Sequence, residues 1–440
     1  MKYTYGQALI WLAIYIILSL LPLVFSLVGT TPEPRTFWIE FGVGLGFVGL
    51  AMMGMQFLLT GRFRFIASGL GLDNMLQFHR QAGLVATCFI LAHPIILLVA
   101  EPAFLQFLNP TIYPARAVVL SIASVAIIAI VVTTVWRKTF GIPYEWWRTA
   151  HGSLALLIVM VGLIHVMLVG HYIDPLWKRT VWIVFTAGAM GMLIHGRIFR
   201  PLVLKKKPWK VVDIREERGN AWTVALEPDG HEGFEFEAGQ FAWITIGPSP
   251  FSLQQHPFTI SSSAESCPRI EFTIKELGDF TSTVKDIPLG TSAFVEGPFG
   301  DFALNDDVCQ YGAVFMAGGV GITPVMSMLR TLRDQCRELP LQLFYANNAL
   351  EDTIFYDEIQ ALADEINLDV IFVLADPPPH WEGEEGFLRA EILDKYKSPD
   401  NGERRYYVCG PGVMMDVVEN LLIDRGIEGR RIFSERFDIV

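Results

Sequence analysis

Cysteine is scarce in this chain, and its few copies lie far apart. No two of the five cysteines among the 440 residues form a Cys-x-x-Cys pair. Disulfide frameworks, structural zinc sites and iron–sulfur clusters all draw on closely spaced cysteines. The sequence therefore argues against all three kinds of site, and the cysteines are Cys88, Cys267, Cys309, Cys336 and Cys409.

Positive charge is scarce beyond residue 200. Residues 201–440 contain 21 Lys and Arg against 40 Asp and Glu, whereas residues 1–200 contain 13 against 6. Nucleic-acid binding relies on a basic surface, so the sequence predicts no nucleic acid as a partner of so acidic a half. The chain also has no internal repeat.

Charge of either sign is absent from six stretches in the first 200 residues. Each stretch is close to the roughly 20 apolar residues that span a bilayer. The sequence therefore predicts six transmembrane helices in a lipid bilayer, the inner or plasma membrane. The stretches are residues 5–32, 41–61, 81–100, 117–136, 149–173 and 180–196.

The first stretch has a second interpretation as a cleavable signal peptide, since Lys2 precedes it. It is too long for the apolar core of such a peptide, and it lacks a small-x-small cleavage site before Thr30. Nine Lys and Arg fall on one side of the predicted bundle and four on the other. The positive-inside rule therefore predicts that both termini are cytoplasmic.

Four histidines form two matched pairs in this apolar half. His79 and His93 are fourteen residues apart in the third predicted helix, and His151 and His165 have the same spacing in the fifth. Fourteen residues of α-helix turn by about 1400° and rise by about 21 Å, so each pair shares one face at two membrane depths. Both helices run in one direction, so His79 should meet His151 near the inner face, and His93 should meet His165 near the outer face.

A lone histidine in an apolar helix is usually a satisfied core side chain, whereas two pairs in equal register are typical of a functional site. Imidazoles on facing helices bind haem iron axially, and apolar walls keep the macrocycle out of water. The pattern predicts two stacked b-type haems, with His79, His93, His151 and His165 as iron ligands.

The composition changes after residue 200 and predicts four parts. Residues 1–200 form the six-helix transmembrane bundle, and residues 201–207 form a basic linker that marks a topological stop or binds anionic lipid. Residues 208–305 carry short strands typical of a small antiparallel β-barrel. Residues 306–440 alternate strands and helices, which predicts a doubly wound α/β domain.

Several motifs in the second half suit flat rings and phosphates, although each one alone is weak. In His256–Thr259, a proline removes a ladder donor, and an aromatic ring and a hydroxyl point to opposite faces. Thr273–Lys275 and then Thr281 offer a cation and hydroxyls for a diphosphate. A glycine-rich turn at Gly318–Pro324 lets backbone amides approach phosphate before a helix. Cys409–Gly412 ends a later strand, at the edge where nucleotides bind in such sheets.

Together these motifs resemble the ferredoxin–NADP reductase superfamily, and with the six-helix bundle the chain resembles a prokaryotic NADPH oxidase or ferric reductase. The resemblance covers nearly the whole chain. It rests on the double His-x13-His, HPFTIS, TIKELGDFT, an EGPFG turn at Glu296–Gly300, GGVGITP, YVCGPG and the ending SERF.

The resemblance implies that FAD, NADH or NADPH and two haems are the cofactors. The residues expected around FAD are His256, Pro257, Phe258, Thr259, Thr273, Ile274, Lys275 and Thr281. Those expected around the nicotinamide dinucleotide are Gly318, Gly319, Gly321, Thr323, Pro324, Cys409, Gly410 and Pro411. Cys409 would lie near the nicotinamide and Phe437 would cover the flavin where the hydride arrives, so these two are the candidate catalytic residues. Asn347 and Asn348 stand where NADPH-using relatives often carry a basic residue, which puts NADPH preference in doubt.

The expected reaction passes a hydride from NAD(P)H to FAD and then single electrons through the inner and outer haems. Dioxygen, giving superoxide, is the expected acceptor on the outer face, because the four histidines are all used as ligands and no outer metal-binding cluster is evident. A ferric chelate is the alternative acceptor. A haem and flavin sensor without turnover is a hypothesis of another class, but the nicotinamide half argues against it, since a sensor needs no renewable supply of electrons.

Overall fold

The computed structural model places most of the chain, and two compact units divide it, one ending at Arg200 and one beginning at Pro201. Four residues used in the sequence analysis lie outside the described ranges, namely Lys2, Arg64, Cys309 and Cys336. The described residues are 5–63, 72–304, 311–335, 339–396 and 403–437.

Six long apolar helices make up the first unit, as the sequence predicts. Each is long and apolar enough to cross a membrane. The helices are α1 Tyr5–Leu27, α2 Phe37–Leu59, α3 Leu72–Ala100, α4 Pro114–Val135, α5 Tyr144–Val169 and α6 Leu176–Ile194. A π-helical turn at His195–Phe199 and a short helix α7, Arg200–Leu204, follow without a break.

The helix boundaries differ from the charge-free stretches at the ends that carry histidine. Helix α3 starts nine residues before the predicted stretch, and α5 starts five residues before it. The stretches stop at Arg80 and Arg148, but a helix continues through such residues because long basic side chains extend toward the membrane surface. As a result His79, which precedes the stretch 81–100, lies inside helix α3.

An antiparallel sheet of six strands begins the second unit. Its strands are β1 Trp209–Glu217, β2 Ala221–Pro228, β3 Phe241–Ile246, β4 His256–Thr259, β5 Ile270–Lys275 and β6 Ser292–Phe299, in the order β4-β3-β6-β1-β2-β5. A closed barrel was expected, whereas the structure has a curled sheet. Beyond β4, one isolated bridge from Ile260 to Phe272 of β5 joins the two edges.

The predicted EGPFG turn is wrong in part. Residues Glu296 to Phe299 belong to β6 and pair with β3, and only Gly300 turns, with φ of 98°. Pairing resumes across a register shift beside Phe241, so a proline and a glycine are accommodated at an irregular point of the ladder. The strand therefore runs further than a Gly- and Pro-rich sequence indicates.

A parallel sheet completes the unit. Its strands are β7 Ala313–Gly318, β8 Leu341–Asn347, β9 Leu368–Leu374, β10 Glu384–Glu385, β11 Arg405–Cys409 and β12 Ile432–Glu435, in the order β10-β9-β8-β7-β11-β12. Between them lie α8 Ile322–Asp334, α9 Tyr356–Glu365, α10 Ala390–Lys395 and α11 Gly412–Asp424. Buried apolar side chains line both faces, with α8 and α9 on one face and α10 and α11 on the other.

Candidate functional site

The four histidines meet in two pairs across α3 and α5. The ring centroids of His79 and His151 are 6.4 Å apart, and those of His93 and His165 are also 6.4 Å apart. Helix α3 packs closely on α2, and α5 packs closely on α4, whereas α3 and α5 make few close backbone contacts with each other. The rings therefore face each other across a gap between two helices, at two depths.

In two of the four histidines, the Nδ1 atom of the ring has a hydrogen-bond partner. The Nδ1 atom of His93 lies 2.8 Å from the carbonyl oxygen of Gly42, and that of His151 lies 3.1 Å from the hydroxyl of Thr134. A hydrogen bond at Nδ1 fixes the ring and leaves Nε2 to bind a metal. On His79 and His165 the Nδ1 atoms are buried, with no hydrogen-bond partner among the described residues.

The separation of the paired rings would allow each pair to hold one haem iron. Metal–imidazole bonds are about 2.0 Å long, so two rings on opposite sides of one iron have centres about 6 Å apart. A macrocycle supplies the other four nitrogens, so two protein ligands at each depth are sufficient. Gly46 lets α2 approach the pair of His93 and His165, because a Cβ atom on residue 46 would lie 2.7 Å from Nδ1 of His93.

A polar cluster lies at the same end of the bundle as His93. Glu40, in the first turn of α2, accepts hydrogen bonds from the backbone amide of Arg35, at 2.9 Å, and from the hydroxyl of Tyr172. Next to it, Nε2 of His171 is buried and has no hydrogen-bond partner among the described residues. This cluster stands at the end that the sequence predicts to be outer. Glu40 is not distinguishable in the sequence, because an acidic residue in the first turn of a helix is common.

The predicted flavin strand is β4, and aromatic rings stack beside it. The ring of His256 stacks on Phe280 with centroids 4.3 Å apart, and the ring of Phe258 lies 6.2 Å from both of them. Thr259 is buried. Three rings in this arrangement offer flat surfaces on which an isoalloxazine can pack. Phe280 was missed as a site residue, although it lies within the quoted TIKELGDFT.

The residues predicted to hold the diphosphate are used differently from one another. Thr273 and Ile274 are buried in the sheet, so only their backbone groups are available to a cofactor. Thr281 accepts hydrogen bonds from the amides of Leu277 and Gly278, both at 2.8 Å, and so shapes the turn itself. Lys275, the cation expected near the diphosphate, is half-buried at the end of β5.

A salt bridge and an indole hold the chain beyond Lys275. Glu276 accepts hydrogen bonds from Nε1 of Trp222, at 2.9 Å, and from Lys285, at 3.2 Å. The Trp222 hydrogen bond, followed by that of Lys285, lowers the pKa of this carboxyl group. The chain that leads to Thr281 is therefore bonded to β2 through Trp222 and, through Lys285, to the 3₁₀ helix Thr281–Asp286.

Two glycine turns meet at the carboxyl edge of the parallel sheet. A Cβ atom on Gly321 would lie 2.4 Å from the carbonyl oxygen of Cys409, and one on Gly410 would lie 3.0 Å from the amide nitrogen of Gly318. Gly319 has a φ of 54°. The close approach forces glycine at these positions and leaves backbone amides at the strand ends, where a dinucleotide phosphate binds.

Side chains around the glycine-rich turn hold it in place. The hydroxyl of Tyr345 donates to the carbonyl of Gly319 at 3.0 Å, and burial raises the pKa of this hydroxyl, so it stays a donor. The hydroxyl of Thr323 donates to the carbonyl of Val320 at 3.0 Å, inside the turn. Tyr345 was missed because a tyrosine within a strand indicates only packing.

The two candidate catalytic residues lie on neighbouring strands. Cys409 is fully buried at the end of β11, next to Pro411 in the second glycine turn, and Phe437 is 40% exposed two residues beyond β12. Strand β12 pairs with β11, with Cys409 opposite Glu435. Phe437 therefore emerges at the edge where the glycine turns lie.

The strand end predicted to meet the adenosine ribose is β8. Asn347 is buried, whereas Asn348 is exposed, and Glu351 follows in a 3₁₀ turn. Arg330 is held by two hydrogen bonds to the carboxylate of Glu358, at 2.7 and 2.6 Å. The charge of this arginine is therefore already paired with a carboxylate.

Three family models match the chain. Residues 45–169 match the ferric reductase like transmembrane component, residues 208–303 match an FAD-binding domain, and residues 315–420 match an oxidoreductase NAD-binding domain.

Among curated relatives, the reductase component of propane 2-monooxygenase from Rhodococcus jostii is 28% identical over 225 residues, which are 49% of this chain and 59% of that protein. The glycine betaine monooxygenase reductase subunit from Chromohalobacter salexigens is 28% identical over 238 residues, covering 52% of this chain and 63% of the relative. The chain thus spans less than two thirds of the length of either relative. Among solved structures, the FAD/NAD binding domain of nitric oxide dioxygenase from Vibrio cholerae is 21% identical, with a TM-score of 0.47, over 52% of this chain and 98% of that one.

Proposed function

We propose that this oxidoreductase carries electrons across a membrane, because it joins a region that matches the ferric reductase like transmembrane component to regions that match FAD-binding and NAD-binding domains. In the proposed route the electrons pass from cytosolic NAD(P)H through FAD and two b-type haems to an acceptor on the outer face. Dioxygen is the proposed acceptor, and superoxide the product.

One observation supports the haem route above all. The two histidine pairs have the same ring separation of 6.4 Å and lie fourteen residues apart on both helices. A bundle that used these histidines only for packing would not need the same spacing twice. Two iron sites, one above the other, account for both the spacing and the gap between α3 and α5.

The residues have distinct tasks in this route. When bound, FAD accepts a hydride and releases electrons singly, and haem carries one electron at a time. The stacked rings of His256, Phe258 and Phe280 hold the flavin, and the two glycine turns hold the nucleotide phosphates. Phe437 covers the flavin until the nucleotide displaces it. The apolar helices keep water from the histidine pairs.

Haem content tests the bundle directly. We expect two low-spin, bis-histidine haems per chain by pyridine haemochrome titration against protein concentration. In His93→Ala the outer pair, His93 and His165, loses one proposed ligand, so the number of haems per chain should fall from two toward one. A ratio near one in the unaltered protein, or an unchanged spectrum in His93→Ala, contradicts the two-haem proposal.

The acceptor requires a separate test, because the match of residues 45–169 to a ferric reductase like component favours a ferric chelate as the second candidate. The protein is reconstituted in vesicles and supplied with NADH, with either dioxygen or a ferric chelate on the outer face. We expect superoxide formation with dioxygen at a rate that accounts for NADH oxidation. Rapid ferric reduction with little oxygen consumption identifies the reductase, and no steady NADH oxidation with either acceptor identifies a sensor.

A further inference from the structure

A row of buried polar side chains lies on one face of α8, the helix that begins at the glycine-rich turn. Ser327, Arg330 and Thr331 are spaced three and four residues apart, so they share that face. Their exposures are 0%, 7% and 3%. Buried polar groups need hydrogen-bond partners, and a helix face directed only at a hydrophobic core would carry apolar residues instead.

The partners of this row are in the FAD sheet, just beyond the strand His256–Thr259. The hydroxyl of Ser327 donates to the carbonyl of Ser262 at 2.8 Å. A guanidinium nitrogen of Arg330 donates to the carbonyl of Ser261 at 2.7 Å. Helix α8 is therefore bonded to the segment that continues directly from the flavin strand.

Two more backbone amides, one in a 3₁₀ turn after β4 and one in the turn before β3, also bond to the row. The amide of Ala264 donates to the hydroxyl of Thr331 at 2.9 Å, and the amide of Gly239 donates to that of Ser327 at 3.3 Å. Gly239 has a φ of 101°, and a Cβ atom there would lie 2.4 Å from the terminal methyl of Met328. The positive φ, and the carbonyl oxygen of Phe302 only 2.3 Å from the position of such a Cβ atom, favour glycine at this point of the turn before β3.

We propose that Ser327, Arg330 and Thr331 are positioning residues, which set the distance between nicotinamide and flavin for hydride transfer. This inference rests on the proposed function. NAD(P)H loses a hydride, and FAD accepts it, so both electrons and the proton move in one step between two rings held by different sheets. A displacement of about 1 Å can slow such a step by about a hundredfold, even when both partners still bind.

The row lies close enough to the glycine-rich turn to control the position of that turn. The glycine-rich turn lies at the first residue of α8, and Ser327 lies five residues, or about 7.5 Å, along the helix. A shift or tilt of α8 against the FAD sheet therefore moves the nucleotide turn by a similar amount. Four hydrogen bonds from one helix face, three to residues 261–264 and one to Gly239, resist that movement.

The test uses the full-length protein and Thr331→Val, which keeps the shape of the side chain and removes its hydroxyl. Anaerobic stopped-flow reduction of the flavin by NADH gives a limiting rate and a nucleotide dissociation constant. We expect the limiting rate to fall about tenfold, with the dissociation constant and the FAD and haem contents changing less than twofold. Thr331→Ser retains the hydroxyl and should restore most of the rate.

A matched control is Thr245→Val, which alters another buried threonine, on β3 and outside the row. It should leave the limiting rate unchanged. An equal loss in Thr245→Val, no loss in Thr331→Val, or a loss confined to the dissociation constant overturns the positioning role. Failure of the unaltered protein to reduce its flavin with NADH overturns the proposed function itself, and this result is distinct from any difference between variants.

Discussion

Asn348 and Glu351 define the charge around the end of β8, where a nucleotide ribose is expected. Carboxylates and amides bond ribose hydroxyls, whereas a 2′-phosphate gains most from Arg or Lys. The guanidinium of Arg330, on α8, already donates hydrogen bonds to Glu358 and to the carbonyl of Ser261. From these charges we expect a preference for a nucleotide without the phosphate.

We expect NADH to be used at least as well as NADPH, measured as kcat/KM for the two nucleotides. Asn348→Arg adds an exposed cation and should raise kcat/KM for NADPH more than for NADH. A tenfold preference of the unaltered protein for NADPH, about 1.4 kcal/mol, would show that a partner of the phosphate has been overlooked.

Phe437 is a second residue whose role depends on its own side chain. It is 40% exposed beyond the last strand, so its removal leaves no large cavity. Phe437→Ala should change the KM for nicotinamide nucleotide or the kcat, because a ring that shields the flavin must move before hydride transfer. Haem content should stay the same. If steady-state kinetics show neither parameter altered, Phe437 serves ordinary packing.

For single residues, the sequence predicts that the four histidines are candidate ligands, but it does not predict which residues of other helices contact them. Four histidines in apolar helices have a spacing that can be counted along the chain. Thr134 and Gly46 approach them from other helices, and a threonine or glycine in a transmembrane helix is too common to indicate a contact. Tyr345 and Phe280 are likewise defined by what they touch, which depends on tertiary packing.

Among the elements, α1 and α6 are joined by a lysine that is 1% exposed. The ammonium group of Lys178 donates to the carbonyls of Ser26, at 2.7 Å, and Thr30, at 3.0 Å. A positive charge near the end of a helix interacts favourably with its dipole, and α1 ends at Leu27. Lys178 thus fixes the end of the first transmembrane helix against the last.

Lys178→Met should lower the free energy of unfolding in detergent by about 1.5–3 kcal/mol, because two carbonyls lose a charged donor. The neighbouring Arg179→Met removes an exposed ion pair with Asp174 and should change stability by less than about 1 kcal/mol. Equal stability of the two variants would show that the carbonyls find other donors, and denaturant titration measures the difference.

The type of an element could be predicted where its apolar residues repeat with one period. Whether the FAD sheet closes into a barrel could not be predicted. Apolar helices and alternating strands each have a repeat that sequence displays. The edges of the FAD sheet meet at one bridge between Ile260 and Phe272, and no local pattern distinguishes that arrangement from a closed barrel. Arg330 illustrates the same limit, since its partners lie 28 and 69 residues away.

The whole molecule combines a basic transmembrane half with an acidic second half. Nine Lys and Arg on one side of the bundle against four on the other predict that the NAD(P)H domain lies in the cytoplasm. In right-side-out vesicles, external NADH should therefore not be oxidised until the membrane is permeabilised, whereas inverted vesicles should oxidise it at once. Oxidation by intact right-side-out vesicles contradicts the proposed orientation.

The fourteen-residue spacing of the histidine pairs has an electrical consequence. Between the two depths an electron would travel about 21 Å, roughly two thirds of the hydrocarbon thickness. With a negative cell interior, each 100 mV of membrane potential would contribute about 1.6 kcal/mol to that outward step. Every turnover then discharges the membrane, so sustained activity in a sealed cell requires a compensating movement of ions.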